Sequence, residues 1–394
     1  MSGILDGYRV LDFGRFIAGP YCGALLGDLG ADVIRIERVD GGEDRFLAPV
    51  DESGVGSAYL QMNRNKRGMT LNPTKPEGRA IVEKLVATAD VVLANLPPPT
   101  RKSWGLDYDN LKRIKPDIVL TTVSAYGIGG PYQDKVGFDG IGQAMSGNLH
   151  LTGPADHPIK NWVPYVDFGT ASLTAFATVA ALLHREKTGE GQEVQGALLG
   201  TALTMNNSTL IEQALINVNR IGSVNRAQTS GPADVFQTKD GWILIQAIGR
   251  PMFERIARMM GEEGWLTDPR FETDLDRGNN GEILSERVAA WCAERTSQQA
   301  IAELEEAKIP SGEVYSPQRA LDDPHIREVG FMQDVDYPGL TKPAPVATTP
   351  VRLTGTPGEI RHRAPTLGEH TDAIMAELGY GADEIAALKE KRIV

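Results

Sequence analysis

The sequence predicts an α/β protein of two domains, a large one built on a parallel sheet and a smaller α+β one. Three observations carry this. Short β-branched runs alternate with helical patterns from Arg9 onward. A hairpin signal followed by helical patterns begins after Pro232. The chain has 394 residues with 41% apolar content, more than one hydrophobic core usually holds.

The expected strands are Arg9–Phe13, Ala31–Glu37, Ala89–Leu96 and Asp117–Ser124. Strand and helix in turn imply a parallel sheet covered by helices, a Rossmann-like arrangement. Pro20 suits a helix start and Gly30 a stop, so Gly19–Leu29 reads as the first helix. Thr74 and Glu77 have capping-box spacing before a second helix reaching about Thr88. Helical patterns follow over Phe168–Lys187 and Ala197–Asn217, and the polar stretch Asn219–Pro232 is the expected exit from the large domain.

In the small domain, Asp234–Gln237 and Trp242–Ala247 flank Thr238-Lys239-Asp240-Gly241 as a hairpin. Pro251–Met260, Ile283–Arg295 and Gln298–Lys308 read as helices. Tyr337–Gly358 is rich in Pro, Thr and Gly, and helical patterns near Leu367–Leu378 and Ala382–Lys391 close the chain. The expected division is 1–220, 221–330 and a return to the large domain over 331–394.

With 40 basic and 52 acidic residues the formal net charge is −12, which argues against broad attraction to nucleic acid or anionic lipid. Cys22 and Cys292 are too sparse for a disulfide framework or a thiolate metal site, and a reducing cytoplasm is the default. The N-terminus, Met1-Ser2-Gly3-Ile4-Leu5-Asp6-Gly7-Tyr8, lacks the basic region and apolar core of a secretory signal. No later stretch approaches 18 uninterrupted apolar residues, so no membrane span is expected.

The first strand, turn and helix, followed by a strand ending in Glu37, imitate a dinucleotide site. The turn Gly14-Arg15-Phe16-Ile17-Ala18-Gly19-Pro20 has neither the G-x-G-x-x-G spacing nor a P-loop ending, so no nicotinamide or flavin is expected. Basic residues at Arg35, Arg38, Arg64, Lys66, Arg67, Arg101 and Lys102 could pair with phosphates if they converge. Taken singly, each also reads as a solvated end of a strand or helix. Asp167, in Asp167-Phe168-Gly169-Thr170, stands where an apolar helix begins, and its plainest role is the N-cap. The histidines at 150, 157, 184, 325, 362 and 370 show no metal-ligand spacing and adjoin no nucleophile motif, so neither a metal site nor a hydrolase triad is expected.

Longer motifs change this reading. Leu5-Asp6-Gly7-Tyr8-Arg9-Val10-Leu11-Asp12-Phe13, Ala18-Gly19-Pro20 and Gly27–Arg38 resemble the opening of class III CoA-transferases, the family of formyl-CoA and carnitine CoA-transferases. The resemblance continues in family order through Asn65-Lys66-Arg67, Ser124-Ala125-Tyr126-Gly127, Phe138-Asp139, Thr188-Gly189-Glu190-Gly191-Gln192 and Leu367-Gly368-Glu369-His370-Thr371, covering essentially the whole chain.

This resemblance implies an enzyme that moves coenzyme A between carboxylic acids, with Asp167 as the covalent nucleophile through anhydride and aspartyl-CoA thioester intermediates. It implies cofactor contacts at Phe16, Ala18, Arg38, Asn65, Lys66, Arg67, Arg101 and Phe138, no metal, and an intertwined homodimer. An ordinary Asp, with a pKa of about 3.9, would be ionised at neutral pH, and the helix start beside Asp167 would offer N–H groups to an oxyanion. Relatives that racemise α-methylacyl-CoA carry a histidine where Phe138 stands, and Phe138 cannot exchange a proton, which favours transfer. The remaining alternative is a non-catalytic acyl-CoA-binding subunit. Three departures from the family pattern are Ile17 in place of a glutamine, no visible glycine-rich small-domain loop, and Asn95-Leu96-Pro97-Pro98-Pro99 followed by Arg101.

Overall fold

A computed structural model describes residues 3–52 and 54–394. Six strands form one parallel sheet: β1 (Arg9–Asp12), β2 (Asp32–Glu37), β3 (Lys66–Thr70), β4 (Val91–Ala94), β5 (Val119–Ser124) and β6 (Glu193–Ala197), ordered β3-β2-β1-β4-β5-β6. Val10 pairs with Val33 on one side and Val91 on the other, which places β1 at the centre. Both faces are apolar, as a sheet covered on two sides requires. Leu11, Ile34, Met69, Val92 and Leu120 face one core, while Val10, Val33, Val91, Leu93 and Val119 face the other.

The helices that position the site are α1 (Ala18–Asp28), α2 (Pro76–Thr88), α3 (Pro98–Trp104), α4 (Asp139–Met145), α5 (Tyr165–Thr188) and α6 (Leu198–Ile216). By length and composition α5 is apolar enough to cross a membrane. Its Ala171, Ala175, Ala181 and Leu182 are instead packed into the sheet's second core, at the spacing of one helix face. The capping box expected at Thr74 and Glu77 does not form. Pro76 opens α2 after Lys75, with no side-chain cap, and the Thr74 hydroxyl donates to Asn72 Oδ1 at 2.6 Å.

The chain folds as two compact units. The first comprises the chain to Ser146, Trp162–Ser208 and His325–Val394, and the second Gly147–Asn161 and Thr209–Pro324. These cuts fall at 208/209 and 324/325, each earlier than the 220/221 and 330/331 read from the sequence, and they add the excursion 147–161 to the second unit. In the second unit β7 (Ala233–Gln237), β8 (Trp242–Gln246) and β9 (Ser311–Glu313) form an antiparallel sheet. Its core joins Phe236, Ile243 and Ile245 to Phe253, Phe271, Leu284 and Val288 from the following helices. In the first unit, Ile374, Met375, Ile385 and Ile393 from the C-terminal region complete the core beside Leu11 and Ile34.

Two strands were illegible in the sequence. Strand β3 opens with Lys66-Arg67, which reads as a basic cluster, and β6 contains a single β-branched residue, Val194. The Lys66 side chain is fully buried, and its three donors meet Asp12 Oδ2 at 2.6 Å, the Pro20 carbonyl at 2.7 Å and Asn63 Oδ1 at 3.0 Å. Removing one partner of such a pair leaves an uncompensated buried charge. Lys66→Ala is therefore expected to lower unfolding stability by roughly 3–5 kcal/mol in urea titrations, and Lys66→Met with Asp12→Leu to recover part of that loss.

Candidate active site

Open parallel sheets offer a crevice at the carboxyl ends of the strands where the strand order reverses. Here the reversal lies at β1, between β2 and β4. The segments leaving β1 (Arg15–Ala18), β4 (Asn95–Pro98) and β5 (Val123–Ala125) line a cleft of about 250 Å3 there, together with Gln133–Phe138, Asp167 and Leu198.

Asp167 lies in the first turn of α5, which begins two residues earlier at Tyr165 and is preceded by Pro164. Asp167 is thus not the cap that the sequence suggests. That task belongs to Asp139, whose Oδ1 accepts from the backbone N–H of Val166 at 2.8 Å and of Asp167 at 3.2 Å. Gln143 Nε2 donates to the other Asp139 oxygen at 2.5 Å. Both carboxylates are buried, Asp167 at 8% exposure.

With capping left to Asp139, no hydrogen bond among the described residues acts on the Asp167 carboxylate, only burial and the Asp139 charge. Burial, and then the negative charge of Asp139, push its pKa up to about 7. At neutral pH roughly half of it is protonated, in place of the fully ionised group expected from the ordinary value. The helix start offers no free N–H to an oxyanion either. Tyr165 N–H donates to Val163, those of Val166 and Asp167 to Asp139, and that of Phe168 to Pro164.

Phe16, Ala18 and Phe138 share the cleft with Asp167. The Phe16 and Phe138 rings meet edge to face with centroids 5.4 Å apart. Arg38 lies elsewhere, in a second cleft of about 300 Å3 lined also by Asn72, Thr74 and Trp104. Helix α3 links the two, since Pro98 lines the first cleft and Trp104, at its other end, the second. Seven residues at 1.5 Å rise make this span about 10 Å. Arg101, on α3, sits 3.7 Å from Glu193.

The structure does not bring Asn65, Lys66 or Arg67 to either cleft. Lys66 is spent on Asp12, and Asn65 Nδ2 donates to Asp28 Oδ1 at 2.8 Å and to the Glu359 carbonyl at 2.7 Å. Arg67 pairs with Asp32 at 2.8 Å and Glu377 at 2.6 Å. Two cationic residues that sequence reasoning did not single out, Arg15 and Lys135, line the Asp167 cleft instead. Arg15 lies in the turn that leaves the first strand, which was a usable signal. Lys135 sits in an irregular exposed segment with no periodicity to mark it.

A family model described as CoA-transferase family III matches residues 5–371, and the chain belongs to that family. It is 34% identical over 394 residues to a succinyl-CoA–D-citramalate CoA-transferase of Chloroflexus aurantiacus, covering 99% of this chain and 98% of the relative. It is 31% identical to a succinate–glutarate CoA-transferase of Agrobacterium fabrum, with 95% of each chain covered. Among solved structures, a CAIB/BAIF family protein from Brucella suis superposes with a TM-score of 0.84 at 30% identity, covering 96% of this chain and all of that one. The protein is a class III CoA-transferase, and its substrates are CoA thioesters.

The folded protein binds the Asp167 proton more tightly than the unfolded chain, whose pKa is near 3.8. This contribution to stability is fully present below pH 4 and is lost as pH rises through about 7. Asp167→Asn is therefore expected to be more stable than the natural protein at pH 8, by on the order of 2–4 kcal/mol. That advantage should vanish by pH 4 in paired urea or thermal unfolding curves.

Proposed function

We propose that the protein moves coenzyme A from an acyl-CoA donor to a carboxylic acid through a covalent intermediate on Asp167. The observation that carries this is a buried carboxylate, free of hydrogen bonds from the described residues, in the cleft where the strand order reverses. Such an oxygen keeps its lone pairs for a substrate carbonyl, and its raised basicity strengthens it as a nucleophile.

In the first step an Asp167 oxygen attacks the thioester carbonyl, the C–S bond breaks, and a mixed anhydride and coenzyme A thiolate result. The thiolate attacks the aspartyl carbonyl, releasing the donor acid and leaving an aspartyl-CoA thioester. An acceptor carboxylate then attacks that thioester, and the freed thiolate takes the new acyl group and restores Asp167. No net proton is consumed. Asp139 acts as a positioning residue, since its bonds to the Val166 and Asp167 N–H groups set the turn that carries the nucleophile. Phe138, which holds no exchangeable proton, supports transfer over racemisation in this reading.

We assign Phe16, Ala18 and Phe138 to the acyl and thiol end of the cofactor. Arg38, with the cleft at the far end of α3, takes a phosphate-bearing end, and Arg101 lies on the helix between. Asn65, Lys66 and Arg67 are assigned to the support of the sheet, because their polar groups are already committed. The relatives are named for succinate, glutarate and citramalate, all short dicarboxylic acids. Lys135 in the cleft, together with Arg15 once it exchanges its ion pair with Glu43 for substrate, suits the same class of acceptor here, with succinyl-CoA as donor.

We read the parallel sheet as a Rossmann-like large domain and the enzyme as a homodimer. The exposed apolar side chains of Trp162, Phe176 and Leu215 favour a covering partner. The free, buried Cys22 and Cys292 suit a reducing cytoplasm.

Asp167→Ala is expected to lower CoA exchange at least about a thousandfold with the fold retained, and undiminished turnover would sink the proposal. In the natural enzyme, kcat/KM should rise with pH and level off above about 7 as Asp167 ionises, whereas a flat profile from pH 5 to 9 counts against it. Light scattering is expected to give twice the 42.6 kDa chain mass, and a monomer would remove the dimer.

A further inference from the structure

Phe16 is held in a backbone conformation that bulky residues avoid, with φ of +62°. Its neighbours leave it little choice. The Gly14 N–H donates to Asp12 Oδ1 at 2.7 Å, and the Gly14 carbonyl accepts from Arg35 Nη1 at 2.5 Å. Asn95 grips Arg15 on both sides, accepting from its N–H at 2.7 Å and donating to its carbonyl at 2.8 Å. Beyond Phe16, the Ile17 carbonyl accepts from the Tyr21 N–H at 2.8 Å as α1 begins. The anchors are themselves fixed, Asp12 by Lys66 and Arg35 by Asp44, each at 2.6 Å.

Two glycines permit this close approach. A Cβ on Gly14 would lie 2.7 Å from Asp12 Oδ1, and one on Gly19 would lie 3.1 Å from Asn95 Cγ. At position 16, where glycine would adopt the backbone freely, the chain carries phenylalanine instead. Strain retained beside a reactive group points to a use for the side chain that bears it. The Phe16 ring meets Phe138 at 5.4 Å, and Phe138 immediately precedes Asp139, which bonds the Asp167 N–H.

We propose that Phe16 is a water-excluding residue of the transfer reaction and that Asn95 is the positioning residue that holds its ring against Phe138 beside Asp167. The inference rests on the covalent Asp167 reading. An aspartyl-CoA thioester or mixed anhydride that meets water is hydrolysed: the water oxygen forms a bond to the acyl carbon, the C–S or C–O bond breaks, and free acid plus thiol or carboxylate result. The aromatic pair supplies an apolar cover at the cleft where those intermediates form.

The test is the ratio of acyl-CoA hydrolysis to CoA transfer, read on one enzyme sample so that the folded fraction cancels. Phe16→Gly is expected to raise that ratio about tenfold, Asn95→Ala to raise it in the same direction, and the double variant to go no further than the larger single effect. A rise of less than about threefold in Phe16→Gly, or two effects that multiply, overturns the proposal. Phe16→Gly should also melt above Phe16→Ala, because alanine keeps the unfavourable backbone without the ring, and the reverse order would remove the strain argument. The covalent reading is judged separately: Asp167→Asn should lose hydrolysis together with transfer, and hydrolysis that persists there sinks the intermediate itself.

Discussion

The ion pair between Lys66 and Asp12 ties the central strand, whose outgoing segment lines the cleft, to β3 and to α1. Asp12 ends the central strand, Lys66 begins β3 across β2, and the same ammonium reaches the Pro20 carbonyl in the first turn of α1. A charge with no exposure is tolerable only when every donor finds an acceptor, and this one finds three. The other Asp12 oxygen accepts from Gly14, so the pair also fixes the departure of the loop that carries Arg15 and Phe16. Lys66 acts on the site through the frame that holds it.

A second carboxylate sets the chemistry. Asp139 reaches across from α4 to cap α5, and by taking the N–H groups of Val166 and Asp167 it frees Asp167 from the role its position would ordinarily impose. Its charge also adds to the effect of burial in raising the Asp167 proton affinity. The folded protein therefore carries a buried carboxylate whose ionisation costs stability. That cost is consistent with a group whose bonding capacity is meant for substrate.

The alternation of apolar runs and helical patterns was enough to place β1, β2, β4 and β5 within a few residues, because strands buried on both faces read as continuous apolar runs. Strands β3 and β6 were not legible, since Lys66 and Arg67 open one with charge and Glu193, Gln195 and Gly196 dilute the other. Of the expected cofactor contacts, Phe16, Ala18 and Phe138 meet Asp167 in one cleft, whereas Asn65 and Lys66 are buried in ionic and amide contacts of the frame. A basic residue in a motif looks the same in sequence whether it faces a phosphate or an aspartate.

Local pattern by itself determined the α/β class, most sheet strands and the family, because periodicity and ordered motifs are properties of neighbouring residues. Tertiary structure decided which oxygen caps α5, which cations face the cleft and how Phe16 is held. Each of these depends on pairs far apart in the chain, such as Asp139 with Asp167 and Asn95 with Arg15, with separations of 28 and 80 residues. Burial, and then the negative charge of Asp139 brought close by the fold, push the pKa of an otherwise ordinary aspartate up to about 7.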